Sequence, residues 1–154
     1  MCLTLEPYQT PENALKTAEK NITCYKVLKN NIYTTKEDND KVLESLYQNF
    51  KYVIGRTYQQ QPELGLRFKT KPGYYNIYGY YVYEVHEAFH SYKYEETALC
   101  DLYECAVLYN GCFVAVKCTI PKGSKYVEND YYYASDSIIL NEIISEFRHK
   151  IKFK

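Results

Sequence analysis

The chain has 154 residues, and its nineteen Lys and Arg side chains balance nineteen Asp and Glu. This length sets one domain with a buried core, and the balanced charge argues against a non-specific nucleic-acid binder. No apolar run approaches the roughly 18 residues that span a bilayer.

No apolar segment follows a basic start, so a secretion signal is not expected. The six cysteines are therefore expected to be reduced thiols of a cytoplasmic protein. Cys100, Cys112 and Cys118 fall in apolar, periodic segments and are expected to be buried. Cys2, next to Met1, would be an N-terminal nucleophile after initiator removal. Leu3-Thr4-Leu5 lacks the glycine-rich continuation of such amidotransferases, so an ordinary second residue is the reading.

Thr10, Pro11 and Glu12 make a well-formed helix start, predicting a helix to about residue 20 that Asn21 closes. Residues 22–28 are β-prone and alternate, which predicts a strand. Thr35 with Asp38 forms a capping box for a second helix, whose Val42, Leu43, Leu46, Tyr47 and Phe50 share one face. Residues 52–54 read as a short strand ended by Gly55. Residues 59–73, broken by Pro62, Gly65, Pro72 and Gly73, predict a surface loop or a pair of short strands. The tyrosine-dense residues 74–85 alternate around Gly79 and suit strands.

Ser91 is a candidate cap for a third helix in which Ala98, Leu99 and Leu102 share a face. Asn110-Gly111, between the apolar runs 105–109 and 112–120, predicts a two-residue hairpin, because both central positions require positive φ. Residues 125–127 and 131–133 read as short strands. The tail reads two ways: residues 138–140 as strand, and Leu140, Ile143, Ile144 and Phe147 at helix spacing. Arg148, Lys150, Lys152 and Lys154 form a basic end, read as solvated. The whole predicts an α+β fold, a single domain over residues 1–154, mostly antiparallel sheet with two to four helices.

His86-Glu87-Ala88-Phe89-His90 matches the letters of a zinc peptidase motif, in which two histidines one helical turn apart hold the metal and the glutamate is the base. The strand signal immediately before it favours a strand end or turn carrying unrelated histidines. Glu104 is the candidate third ligand. Cys100, Cys105, Cys112 and Cys118 lack the paired spacing of a zinc ribbon. Phosphate-cradling and dinucleotide glycine motifs are missing from the sequence, and no cofactor is expected. The chain's twenty tyrosines suit half-buried strands and partner surfaces, although drift in an AT-rich genome is the preferred explanation.

The segments Cys24-Tyr25-Lys26-Val27-Leu28, Phe89-His90-Ser91 and residues 114–140 follow an order that resembles ADP-ribosyltransferases. Those enzymes carry an early strand with Arg or His, a middle Ser-Thr-Ser motif and a late Glu-x-Glu. Residues 114–123, ending in Pro121-Lys122-Gly123, and residues 137–140 are similar to their late frame. Lys26 stands near the expected arginine, His90-Ser91 partly matches the middle motif, and Ser135 and Ser137 replace the two glutamates. A neutral hydroxyl cannot stabilise the oxocarbenium-like centre. The resemblance thus implies a non-transferring copy, with a cleft lined by Tyr25, Lys26, His90, Ser91, Ser135 and Ser137 that holds NAD, ADP-ribose or a protein.

A second set of segments spans most of the chain: Met1-Cys2-Leu3, Cys24 to Leu28, Phe89 to Tyr92, residues 120–124 and residues 133–136. It resembles small proteins of phages and Bacteroidota-type gut bacteria. The leading expectation is a non-catalytic protein that binds or inhibits a host (defence) factor in the host-cell cytoplasm. The alternatives are a nucleotide-binding pseudo-enzyme and, second, the zinc metallopeptidase.

Overall fold

The computed structural model describes residues 3–6, 9–30, 42–46, 50–60, 66–75, 81–109 and 111–148. In chain order these form β1 (Leu3–Thr4), α1 (Pro11–Ala14), β2 (Lys16–Thr17), β3 (Ile22–Asn30), β4 (Val42–Glu44), β5 (Lys51–Val53), β6 (Thr57–Gln59) and β7 (Arg67–Tyr75). There follow β8 (Tyr81–Glu87), β9 (Phe89–Tyr92), α2 (Glu95–Tyr109), β10 (Cys112–Ile120), β11 (Lys125–Glu128), β12 (Tyr132–Ser135) and β13 (Ser137–Arg148). The fold is α+β and its described strand pairs are antiparallel.

The large sheet runs β2-β11-β12-β9-β3-β10-β13-β6, with β4 added to β3 and β5 to β4, and a small sheet runs β1-β8-β7. Only Asp136 separates β12 from β13, yet β9, β3 and β10 lie between those strands in the sheet order. A single residue cannot cross that width in a flat sheet, so the sheet curls and brings its two halves face to face. Inside the curl sit Cys24, Leu28, Leu43, Tyr52, Phe89, Val116, Ile138 and Leu140. On the outer face, α2 covers Val27, Phe113 and Ala115 with Ala98, Leu102, Cys105 and Ala106. The small sheet packs Leu3 and Val85 against Val127 and Ala134.

Central β10 pairs with β3 on one edge and β13 on the other. Both its faces are covered, which is why Cys112–Ile120 reads as nearly continuous apolar sequence. The turn after it is local chemistry: Gly123 has φ +91, and the Ser124 N–H donates to the Pro121 carbonyl at 3.1 Å. Positive φ at the third position of a turn selects glycine. Gly55, at φ +88, ends β5 in the same way.

Several expectations are corrected. Residues 105–109 are not a strand, so Asn110-Gly111 does not join a hairpin; Asn110 itself lies outside the described residues. Ala98, Leu102, Cys105 and Ala106 continue one helical face through that segment, and their packing on the sheet outweighs its local β preference. Cys100, expected to be buried, is exposed. The first helix keeps its predicted cap, Thr10 bonding reciprocally with Asn13, but stops at Ala14. Lys16–Thr17 instead pairs with β11.

Val42 and Leu43, assigned to a second helix, lie in β4, while Thr35, Asp38 and Tyr47 fall outside the described residues. Ser91 lies within β9 and caps nothing. The tail is one strand, β13, and its helix-like spacing has a definite cause. The register against β10 skips Asn141 and Ile144, two bulges that break the two-residue alternation. They turn the apolar side of β13 from the inner cluster, at Leu140 and Ile143, to the outer one, at Ile144 and Phe147.

Candidate functional site

β10 occupies one edge of β3 from Ile22 to Phe113's partner Lys29. The other edge is divided: β9 meets it only at Tyr25↔Tyr92, and β4 only at Lys29↔Glu44 and Asn30↔Leu43. Between those contacts, residues 26–28 face a gap in the sheet. A cavity of about 90 Å³ opens there, lined by residues 26–28, Ser45, Leu46, Tyr52, Ala88, residues 90–92 and Tyr132.

Alternation along β3 places Lys26 between Cys24 and Leu28, which face the inner core. Lys26 is only 9 % exposed. Its Nζ donates to the His90 carbonyl oxygen at 2.5 Å and lies 5.3 Å from the Tyr52 ring centroid. Among the described residues no carboxylate reaches it. Burial pushes its pKa below the usual lysine value, against a smaller opposing influence of the Cys118 and Cys24 thiols.

His90 and Ser91 enter from β9. The His90 pKa is lowered to about 4, by burial first and then by the Lys26 charge. Among the described residues His90 Nε2 is buried without a hydrogen-bond partner, while the buried Ser91 hydroxyl stands beside the Cys24 thiol, which Cys118 and then Ser91 hold below the usual thiol range against burial. Below this group Cys24 and Cys118 stand opposite each other in the β3–β10 register, both fully buried. The neighbouring Cys24 thiol and burial push the Cys118 pKa far up.

Among the described residues, the cavity thus gathers hydrogen-bonding groups without an acid in its lining. A histidine titrating near 4 is a poor base at neutral pH. This arrangement suits holding a ligand better than moving protons.

Of the residues assigned to the sequence-derived cleft, Lys26, His90 and Ser91 line this cavity. Tyr25 packs with the cluster under α2, on the other face of β3. Ser135 and Ser137 lie at the curl between β12 and β13, where Ser135 Oγ donates to the Ser137 carbonyl at 2.9 Å. They are not part of the lining. Sequence reasoning missed Tyr52 and Leu46, which arrive from segments with no chemical motif. It also missed Tyr92, whose hydroxyl donates to Asp101 of α2 at 2.6 Å.

The peptidase motif is corrected outright. His86 lies in β8 and His90 in β9, on different sheets, with Ala88 between them. Histidines four apart converge on one metal only in a helix; in extended chain they are about 13 Å apart. His86 Nε2 lies 2.8 Å from Glu84 Oε1, and Glu87 pairs with Arg67 at 3.2 Å. Glu104, the candidate third ligand, is exposed on α2. Among the described residues no group of three His, Cys, Asp or Glu is placed to hold a metal.

A second surface stands out on the side of α2 away from the sheet. Leu108 is 73 % exposed and Tyr103 58 %, with Val107 between them around the helix, whereas Tyr109 follows Cys105 and Ala106 on the covered side and its ring meets Phe113 at 6.4 Å. The Tyr103 ring meets Phe147 of β13 edge-on at 5.2 Å, extending the patch onto the sheet. α2 carries Glu95, Glu96, Asp101 and Glu104 but no basic residue. An amphipathic helix covering a sheet needs one apolar stripe, and here the last turns add Tyr103, Val107 and Leu108 beside Glu104 on the solvent side.

Among the described residues, no helix is long and apolar enough to cross a membrane. Comparison with protein-family models, curated proteins and solved structures gives no match.

Proposed function

We propose that this protein works by binding another protein rather than by turning over a substrate. The observation that carries the reading is the outward side of α2 in its last turns, where Tyr103, Val107 and Leu108 stand in solvent on a helix whose other side is already buried. Monomers seldom expose contiguous apolar surface without a use for it, and tyrosine is favoured at the centres of interfaces. The acids along the helix select a partner that surrounds an apolar groove with basic side chains. Together with the resemblance to small phage proteins, this makes a host factor, met in the host-cell cytoplasm, the expected target.

The test is affinity capture from bacterial lysate with wild type and Leu108→Lys, after sedimentation has established whether the face self-associates. A partner retained by wild type and lost by the variant, with binding weakened by salt, is the expected result. Self-association through this face, or capture indifferent to Leu108→Lys, would reject the reading.

A nucleotide-binding pseudo-enzyme is the second reading, supported by the meeting of Lys26, His90 and Ser91 at one cavity. About 90 Å³ is far below the 300–1,000 Å³ of pockets that enclose larger ligands. Calorimetry with NAD and ADP-ribose at millimolar concentration decides it, and absence of heat removes it.

A further inference from the structure

We propose that Cys24 and Cys118 are a peroxide-reactive thiol pair that closes to a disulfide between β3 and β10 and reopens under small thiols. The pair lies in the core, so it does not depend on protein binding at α2.

The two cysteines are direct partners in the β3–β10 register, and both side chains enter the inner core. Directly opposite residues of an antiparallel pair have Cα atoms about 4.5–5.5 Å apart. A disulfide spans Cα separations of about 4.4–6.8 Å, so this pair can close within the existing backbone. The other described cysteines have different neighbours. Cys100 and Cys105 lie on α2, and Cys112 stands opposite Arg148 with its thiol donating to Glu146 at 3.0 Å.

A buried cysteine is often an inert small hydrophobe, but Cys24 has other surroundings. The Cys118 thiol, then the Ser91 hydroxyl and the Lys26 amine, hold its pKa below the ordinary thiol value against burial. At Cys105, burial and the nearby Asp101 and Glu104 carboxylates act the opposite way. Peroxide oxidises the thiolate, and a second cysteine beside it resolves the product.

Cys24 is fully buried, yet Lys26 and Ser91 beside it both line the cavity at the uncovered edge of β3. Hydrogen peroxide is little larger than water, and about 90 Å³ admits it. Among the described residues no strand pairs with residues 26–28 on that edge, so β3 opens there more readily than along its paired edge.

In the first step the Cys24 sulfur attacks one peroxide oxygen. The O–O bond breaks, and the departing hydroxide takes the thiol's proton as water. The Cys118 sulfur then displaces hydroxide from the sulfenic acid: an S–S bond forms, the S–O bond breaks, and the Cys118 proton leaves in another water. Both thiols are oxidised and one peroxide is reduced. Exchange with external thiols, themselves oxidised to a disulfide, restores the pair.

The test treats native wild type with hydrogen peroxide, unfolds it in iodoacetamide and maps it by mass spectrometry. The expected product has lost two hydrogen atoms, joins Cys24 to Cys118, and regains both thiols in dithiothreitol. The same treatment in urea should lose that selectivity, because the pairing depends on the folded register. In Cys118→Ala, Cys24 should stop at the sulfenic acid and be captured by dimedone.

Native protein whose Cys24 and Cys118 stay open to alkylation while Cys100 oxidises would overturn the proposal. So would linkage of other cysteines in their place, an equal yield of the linkage in urea, or a folded Cys118→Ala that gives no Cys24 adduct. Should Cys118→Ala not fold, the linkage map of wild type decides alone.

Discussion

Two clusters of buried polar groups lie near β9, and the molecule treats them differently. At residues 135–137, Ser135 Oγ donates to the Ser137 carbonyl, Asp136 Oδ1 accepts from the Lys125 N–H at 3.0 Å, and the Asp136 carbonyl accepts from Gln60 N–H. Their polar atoms are spent on holding the point where the sheet curls. At the gap beside β3, among the described residues, His90 Nε2 has no partner, Ser91 has only the Cys24 thiol beside it, and Lys26 meets a carbonyl and a ring instead of an acid. Burial alone therefore does not mark a site. A satisfied cluster maintains the fold, whereas an unsatisfied one carries a cost that a ligand can relieve.

The largest expected effect that sharpens this contrast is acid sensitivity at the unsatisfied cluster. His90 titrates near 4 in the folded protein against 6.5 for the free side chain. Between these values the unfolded chain binds a proton that the native one does not, so stability falls as pH drops from 6.5 to 4. Urea unfolding at both pH values should show a loss of up to about 3 kcal/mol, and His90→Asn should lack most of it. An equal acid loss in the variant would place the sensitivity elsewhere.

Next in size, Lys26→Met should raise the unfolding free energy at pH 7 by about 2 kcal/mol, because an apolar chain replaces a buried amine. The lysine's folded pKa is lowered, so wild-type stability rises as pH climbs towards the unfolded lysine value. The advantage of the variant should shrink accordingly by pH 10. Destabilisation by Lys26→Met would mean that the amine supports the fold.

The smallest effects set the two clusters side by side. Ser135→Ala removes a satisfied buried hydrogen bond and should cost about 1–1.5 kcal/mol in chemical denaturation. Ser91→Ala removes a hydroxyl whose neighbour is the weakly bonding Cys24 thiol and should stay within about 0.5 kcal/mol of wild type. Equal losses at both positions would break the distinction drawn here.

Much of the fold was legible because its signals are local. The Thr10 cap, the strand beginning at Ile22 and the stop at Gly55 each depend on residues within a few positions of one another. The errors arose where distant contacts prevail. Residues 105–109 have strand-like letters, yet they complete a helical face against Val27 and Phe113. The β13 tail imitates a helix because Asn141 and Ile144 are bulged out of register with β10. The site divided differently: Lys26, His90 and Ser91 were singled out by the family resemblance rather than by a local pattern, and the serines at 135 and 137 that it also implied lie outside the lining.

By itself, the sequence determined a mostly antiparallel α+β protein with Lys26 on an early strand. Alternation and turn chemistry operate over a few residues, so they can be read without coordinates. Only the tertiary structure decided that β9 and β4 leave the edge of β3 uncovered between them, and that α2 shows a second apolar side to solvent. Both depend on how the curled sheet apportions its edges and faces, a competition among strands far apart in the chain that no local pattern records.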